Sequence, residues 1–209
     1  MSETLYRETD VSQIIKSLPK EQLQHLSHVE HYVEILTEKL FNAGICPEII
    51  TANGYKHFGK SAYYHDIGKA WVPRKILTKA GMLTPAELNM IRKHTLFAEE
   101  LFDLIKRGSV SGFPSELFDL AHDAAVFHHE WWDGEGYPYG ISGEKIPVIA
   151  RIVSVCDVYD AITSDRVYRK ARPHEFACRE IETHAGTQFD PIMVKLFLEN
   201  ESEFLIGRR

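Results

Sequence analysis

Residues 19–44 read PKEQLQHLSHVEHYVEILTEKLFNAG. Apolar side chains recur in this stretch at intervals of three and four residues, the spacing of one face of an α-helix. They are Leu26, Val29, Val33, Leu36 and Leu40. Pro19 stands where a helix can begin, and Gly44 stands where it can end. The stretch therefore predicts an amphipathic helix.

The rest of the chain has the same helical character. Thr84-Pro85-Ala86-Glu87 has the form of a capping box with proline in the first turn, which predicts a long helix running to Gly108. Further helices are predicted after Pro114, Pro147, Pro173 and Asp190-Pro191. Strand signals are absent, so the sequence predicts an all-α fold. We expect a single domain over residues 17–209, preceded by a short N-terminal extension of residues 1–16.

Composition limits the class of protein. The chain has 209 residues, 44% of them hydrophobic and 26% charged, as is ordinary for one globular domain. It lacks a run of about 18 apolar residues that could cross a membrane and a secretory signal, so we expect a cytoplasmic protein. The net charge of -6 gives no general attraction to long nucleic acid.

The cysteines argue against thiol chemistry. Cys46, Cys156 and Cys178 are an odd number at wide spacing, without a Cys-x-x-Cys pair. This pattern argues against both a disulfide framework and a thiolate zinc site. We expect reduced, buried side chains.

A glycine-rich segment, residues 131–145, follows the predicted helix that ends at His128-His129. It contains Gly134, Gly136, Pro138, Gly140 and Gly143. A simple connection between two helices does not need this many glycine and proline residues, and long loops often carry functional surfaces. The segment is therefore a candidate lid or ligand loop.

Histidine is unusually abundant, with eleven in the chain. Each histidine or aspartate considered alone has an ordinary explanation, as a solvated or hydrogen-bonded side chain. Asp157, however, lies in an apolar stretch where a buried carboxylate needs a partner, and a metal ion is a natural one. Glu21 and His25 share a helix face and would otherwise be a solvated pair. Together the candidate ligands are Glu21, His25, His65, Asp66, His94, His128, His129 and Asp157.

Eight ligands are too many for one ion. Imidazole and carboxylate ligands without thiolate suit iron, manganese, nickel or zinc, and a carboxylate such as Asp66 can bridge two ions. The hypothesis from the residues is a phosphohydrolase centre with two or three divalent metal ions. We expect iron or manganese, although these ligand types leave nickel and zinc possible.

Several ordered motifs are typical of one family. They include His65-Asp66-Ile67-Gly68-Lys69, His128-His129-Glu130, Gly136-Tyr137-Pro138, Asp157-Val158-Tyr159-Asp160 and Phe189-Asp190-Pro191. On these motifs the chain resembles an HD-GYP domain, a subgroup of the HD superfamily of metal-dependent phosphohydrolases, over roughly residues 21–191. The resemblance implies an HD-domain helical bundle with a glycine-rich GYP loop. It also implies hydrolysis of cyclic di-GMP to linear pGpG, then often to GMP.

The resemblance assigns roles to individual positions. Glu21 falls where members with three metals have an extra glutamate, and the other seven candidates match the metal ligands. Asp66 and Lys69 are the expected catalytic residues, with Lys69 near the metals and the substrate phosphate. The expected substrate contacts are Lys69, Tyr137, Asp160, Arg166 and Arg169. Among the departures, His28 stands where the family commonly has arginine, and Glu135 adds negative charge to the loop.

The expected mechanism is attack on phosphorus by a hydroxide held between two ions, which also neutralise the phosphate oxygens. Arg166 and Arg169, three residues apart at the end of the Asp157 helix, would hold phosphate or a guanine edge. Three alternatives stay open. The chain could be a receptor or adaptor that binds a cyclic dinucleotide without cleaving it, or an oxygenase. It could also be a phosphohydrolase of another nucleotide, namely a related cyclic dinucleotide, a guanosine polyphosphate or a mononucleotide. No sensor domain is expected, which leaves room for a homodimer or a regulatory protein partner.

Overall fold

The computed structural model describes residues 9–51, 54–165 and 170–205. The α-helices are α1 Val11–Lys16, α2 Lys20–Asn42, α3 Tyr55–Ala62, α4 Arg74–Leu77, α5 Pro85–Arg92, α6 His94–Lys106, α7 Phe118–Phe127, α8 Val148–Thr163, α9 His174–Thr183 and α10 Pro191–Glu199. Short 3-10 helices span Ile67–Trp71, Ser115–Leu117, Gly143–Lys145 and Glu201–Leu205. The prediction of an all-α fold is confirmed.

Helix α2 is the central element of the bundle. All five apolar residues of its predicted inner face are buried, and they pack against α3 and α8. One core cluster lies between α2, α3, α8, α9 and α10, and a neighbouring cluster lies between α1, α6 and α7. Because α2 contributes to both clusters, the residues of its first turns lie where the two halves of the bundle meet.

The N-terminal segment joins this body from Thr9 onward. Strand β1, Thr9–Asp10, pairs in parallel with β2, Val110–Ser111. Val11, Ile14 and Ile15 of α1 are buried beside α6. Residues 9–16, which the sequence assigns to an extension, therefore pack on the bundle.

The long helix predicted from Thr84 is divided at Lys93 into α5 and α6. The capping box at Thr84 is present as predicted. The break has a local cause: the His94 side chain bonds through Nδ1 to the Ile91 carbonyl oxygen at 2.7 Å. In a continuous helix this oxygen would accept from the backbone four residues on. The break turns the His94 ring toward the centre of the bundle.

Helix α8 also ends earlier than the sequence suggested, at Thr163. Arg166 and Arg169, expected at the end of this helix, lie outside the described residues. In the parts of the chain that the structure describes, we find no helix that is long and apolar enough to span a membrane.

Candidate metal centre

Histidine and aspartate side chains from five parts of the chain meet at the middle of the bundle. Their ligand atoms form overlapping groups of three, within 4.8 Å of one another in each group. The groups are His94, His128 and His129; His25, His65 and Asp157; and His65, Asp66 and His128. These seven residues form the His/Asp centre. It is the predicted ligand set without Glu21.

Backbone carbonyls orient three of the imidazoles. His65 Nδ1 lies 2.8 Å from the oxygen of Ala62, and His128 Nδ1 lies 2.8 Å from the oxygen of Ala124. His94 Nδ1 bonds to a carbonyl in the same way. Because a carbonyl oxygen only accepts, each Nδ1 carries the proton, and each neutral ring presents the lone pair of Nε2 to the centre.

The Nε2 atoms lie too close together to be left without a partner. His94 Nε2 and His128 Nε2 are 3.4 Å apart, and because burial keeps both rings neutral with the proton on Nδ1, none lies between them. These two lone pairs repel at this distance, whereas a cation between or beside them would accept both. His65 Nε2 lies 3.3 Å from Nε2 of His25. The donor set therefore fits divalent metal ions.

Asp66 lies in the midst of these rings and supports the same conclusion. Its Oδ1 is buried without a hydrogen-bond partner, 3.3 Å from His94 Nε2. Burial opposes the charged form of this carboxyl, but the Lys69 ammonium and the neighbouring His65 and His25 hold its pKa well below the usual range. Asp66 is thus a charged carboxylate with one unsatisfied oxygen, as a bridging metal ligand should be.

His25 connects α2 to α8. Its Nε2 lies 3.1 Å from Asp157 Oδ1, and its Nδ1 lies 2.7 Å from Asp160 Oδ2. Burial alone would lower the pKa of His25, but hydrogen bonds with Asp157, Asp160 and Asp66 outweigh it and raise the pKa to about 10. Without a metal, this imidazole therefore carries the positive charge that the three carboxylates require.

Asp160 has a different place from the one that the sequence predicted. It was expected to contact substrate, but its side chain is fully buried and both its oxygens are engaged. It bonds to His25, to His28 Nδ1 at 2.8 Å and to Ser164 Oγ at 2.8 Å. An aspartate behind a ligating histidine fixes the ring orientation and raises its basicity. Asp160 is therefore placed to support His25, and its contact with substrate stays a prediction.

Tyr137 of the glycine-rich loop lies against the His/Asp centre. Its ring stacks on the His129 ring with the two centroids 4.8 Å apart. The Arg92 guanidinium lies over the Tyr137 ring, 5.4 Å from its centroid. Burial raises the pKa of the Tyr137 hydroxyl and lowers the pKa of His129 to about 3. Arg92 is exposed. Its contact with Tyr137 places a guanidinium beside the centre, and the sequence analysis did not predict this.

Lys69 lies beside Asp66 at the edge of the His/Asp centre. Its ammonium donates to Asp66 Oδ2, which also accepts from Gln22 Nε2 at 2.7 Å. Beside these groups is a cavity of about 290 Å³, lined by Pro19, Glu21, Gln22, Lys69, Leu83 and Ile91 among others. Glu21 is on the wall of this cavity and belongs to none of the groups of three ligand atoms found in the described residues.

The glycine-rich loop is anchored to the centre by Glu130. This buried carboxylate accepts from the backbone N–H groups of Tyr139 at 2.6 Å and Ile141 at 3.1 Å. Gly136 passes so close to the chain that an added Cβ would lie 2.2 Å from the nitrogen of Trp131. Only glycine fits there, and this close approach sets Tyr137 against His129. Sequence reasoning missed the anchoring role of Glu130.

The family model described as HD domain matches residues 53–193. The chain belongs to the HD-domain family. As an HD domain it is 38% identical over 181 residues to a probable cyclic di-GMP phosphodiesterase of Vibrio cholerae, covering 87% of this chain and 41% of the relative. It is 40% identical over 143 residues to a cyclic di-GMP phosphodiesterase of Thermotoga maritima, covering 68% of this chain and 37% of the relative.

A solved HDG"Y"P protein from Bdellovibrio bacteriovorus, Bd1817, has the same fold, with a TM-score of 0.58 at 18% identity over 85% of this chain and 52% of the other. These likenesses confirm the resemblance to HD-GYP domains. This HD domain spans about two fifths of the length of the two curated relatives, at 41% and 37%.

Proposed function

We propose that this HD domain is a metal-dependent phosphodiesterase that hydrolyses cyclic di-GMP to pGpG and then to GMP. The observation that carries the proposal is the pair of unprotonated Nε2 atoms of His94 and His128, 3.4 Å apart beside the unsatisfied Oδ1 of Asp66. This arrangement requires cations in a buried site, and the relatives named for cyclic di-GMP hydrolysis supply the substrate class.

The residues that would hold two divalent ions are the seven of the His/Asp centre, with Asp66 as the ligand shared between them. Glu21 would serve a third ion only, since it stands apart on the cavity wall. Bound ions of this kind lower the pKa of water and neutralise phosphate oxygens. Iron and manganese are the proposed metals, because imidazole and carboxylate ligands without thiolate suit them.

The chain's own residues have separate roles toward a phosphodiester. Lys69, with its side chain 18% exposed, would present an ammonium to a phosphate oxygen while its bond to Asp66 holds it in place. Tyr137 would form the floor of the dinucleotide site, held by its stacking on His129. Arg166 and Arg169 are proposed to bind phosphate or guanine, on the strength of the resemblance alone.

The test is anaerobic purification with metal analysis, followed by product chromatography on cyclic di-GMP. We expect at least two ions per chain and production of pGpG. Asp66→Ala and His129→Ala should each abolish hydrolysis and lower the metal content. Helical content should be retained by circular dichroism, because neither residue belongs to the hydrophobic clusters that hold the helices together.

His31→Ala is the matched control, since this histidine belongs to α2 but not to the His/Asp centre. It should keep wild-type metal content and activity.

Full activity in Asp66→Ala or His129→Ala would refute the proposed centre. Metal uptake with turnover of 3'3'-cGAMP but not of cyclic di-GMP would leave the centre standing and change the substrate. Binding of cyclic di-GMP without cleavage would favour a receptor.

A further inference from the structure

Another group of metal-ligating side chains lies away from the His/Asp centre, where α9 meets the C-terminal 3-10 helix. His174 and Cys178 are in the first turns of α9, and Glu201 begins the 3-10 helix Glu201–Leu205. His174 Nε2 lies 3.4 Å from Cys178 Sγ and 3.8 Å from Glu201 Oε2. One ligand atom from each residue lies within 4.8 Å of the other two.

These separations are close to those of a tetrahedral site. With metal–sulfur and metal–nitrogen bonds of about 2.3 and about 2.0 Å, neighbouring ligand atoms around zinc are roughly 3.5 Å apart. The observed 3.4 and 3.8 Å need only small side-chain adjustments to reach this value. The nitrogen, sulfur and oxygen atoms are thus placed for three positions of one tetrahedron.

The surroundings orient His174 toward the group. Tyr159 Oη lies 2.8 Å from His174 Nδ1, which leaves Nε2 as the atom turned to Cys178 and Glu201. Tyr159 is itself held in the core against Phe197 and Phe204. A metal-bound imidazole usually donates its other ring N–H to an acceptor that fixes the ring orientation, and the oxygen of Tyr159 is placed to be that acceptor.

The group is open on one side. The Cys178 residue is 6% exposed and the His174 side chain 10% exposed, whereas the Glu201 side chain is 48% exposed. An ion could therefore enter from solvent past Glu201, and water could fill the fourth position.

We propose that His174, Cys178 and Glu201 form a separate site for a thiophilic divalent cation of the zinc class. Sulfur distinguishes this site from the His/Asp centre, whose ligands are all nitrogen and oxygen. A bound cation would tie α9 to the C-terminal 3-10 helix. The sequence argued against a thiolate zinc site because the cysteines are widely spaced. That argument does not cover a site with a single cysteine whose partner Glu201 is brought close only by the fold.

Binding at this site releases one proton. Burial and Glu201 raise the pKa of the Cys178 thiol to about 12, so the free protein has the thiol. When the cation binds, the S–H bond breaks, sulfur keeps the electron pair and bonds to the metal, and the proton leaves to solvent. The Glu201 carboxylate, which interacts with the thiol in the free protein, becomes available as the third ligand.

Cobalt(II) is the probe, because thiolate ligation to cobalt gives a near-ultraviolet charge-transfer absorption that nitrogen and oxygen ligands do not give. Metal-depleted full-length chain should develop this absorption on titration with Co²⁺. Cys178→Ser should lose the absorption, bind one Co²⁺ fewer per chain and keep its phosphodiesterase activity. Cys46→Ser is the matched control and should keep the absorption.

Glu201→Gln is a second variant that should not disturb the packing of the core, since this side chain is exposed. It should keep a cysteine ligand and therefore the absorption, but bind Co²⁺ more weakly than the wild type. No charge-transfer absorption in the wild type would overturn the proposal, as would its persistence in Cys178→Ser or wild-type Co²⁺ affinity in Glu201→Gln.

Discussion

Asp160 shows at the scale of single residues how partners decide a role. It lies on α8 three residues after a proposed metal ligand, and its two oxygens bond to His25, His28 and Ser164. His28 stands where the family resemblance leads one to expect arginine. His28 bonds to Asp160 Oδ1 and His25 to Asp160 Oδ2, so this departure leaves the support of His25 in place.

Asp160→Asn tests that support. The amide cannot hold His25 as the carboxylate does, so metal affinity should fall by roughly 10- to 100-fold. Competition of the variant against a chelator of known affinity measures the change. His28→Gln is the matched control, because it leaves the bond between Asp160 and His25 intact and should have a smaller effect. Equal affinity in Asp160→Asn and the wild type would remove the orienting role.

Arg166 and Arg169 give a second prediction at this scale. If they hold the dinucleotide, replacing either with alanine removes a charged hydrogen-bond partner worth roughly 1.5 to 3 kcal/mol, so affinity should fall by about 10- to 150-fold. Metal content should not change. Calorimetry with cyclic di-GMP measures this, and Tyr137→Phe, which loses only a hydroxyl, should lose less. Wild-type affinity in both arginine variants would contradict cyclic di-GMP as the substrate while leaving the metal centre untouched.

At the scale of elements, the 3-10 helix Ile67–Trp71 and α6 lie in direct contact. A Cβ added to Gly68 would lie 2.0 Å from the carbonyl oxygen of His94 and 2.7 Å from the nitrogen of Ala98. Because both neighbours are backbone atoms, neither can move without displacing α6. The glycine therefore sets the distance between the segment that carries Asp66 and the helix that begins with His94.

Gly68→Ala should destabilise the metal-free protein by about 1–3 kcal/mol or more, as overpacking in a tight interior does. It should also lower metal content, since His94 and Asp66 would separate. Gly81→Ala is the matched control: no atom lies within 4 Å of its added Cβ, so its effect should stay within about 0.5 kcal/mol. Urea unfolding of chelator-treated protein compares the two. Similar midpoints for both variants would show that the contact tolerates a methyl group.

At the scale of the whole molecule, burial of the histidine rings makes folding depend on pH. In the metal-free protein, burial lowers the pKa of His94 to about 4 and that of His129 to about 3, from an ordinary value of 6.5. Between about pH 6.5 and pH 4 the unfolded chain binds protons that the folded chain does not. Stability contributed by these two residues is therefore lost as pH falls through this window.

His25 acts in the opposite direction. Its folded pKa, about 10, is above the ordinary 6.5, so its contribution is fully present below pH 6.5 and is lost as pH rises toward 10. His94 and His129 therefore favour the folded metal-free protein most above about pH 6.5, whereas His25 favours it most below pH 6.5.

Urea unfolding of chelator-treated protein at pH 7 and pH 5 checks the acidic side. Each of His94 and His129 should reduce the free energy of unfolding by up to about 1.4 kcal/mol per pH unit within the window. His129→Gln should show a shallower decline than the wild type, because one of the three buried rings whose pKa is lowered, His94, His128 and His129, is gone. An identical slope in His129→Gln would mean that His129 does not stay neutral in the folded chain.

Local features of the sequence are enough to predict much of this molecule. The periodicity of residues 19–44 predicts α2, and Thr84 with Glu87 predicts the start of α5, because helix faces and caps depend on residues within one or two turns. The motif histidines and aspartates predict seven of the residues that the fold brings together. The sequence is enough for this step because histidine and aspartate are recognised as ligand types without knowing how far apart they lie in the fold.

Only the tertiary structure decides which side chains meet across long separations. Asp160 lies 135 positions from His25, and only the fold shows that their side chains are bonded. The division of the predicted long helix at Lys93 depends on where the His94 ring must point. The grouping of Cys178 with Glu201 has the same origin. Spacing along a chain determines helix faces, but packing between helices determines the partners of each side chain.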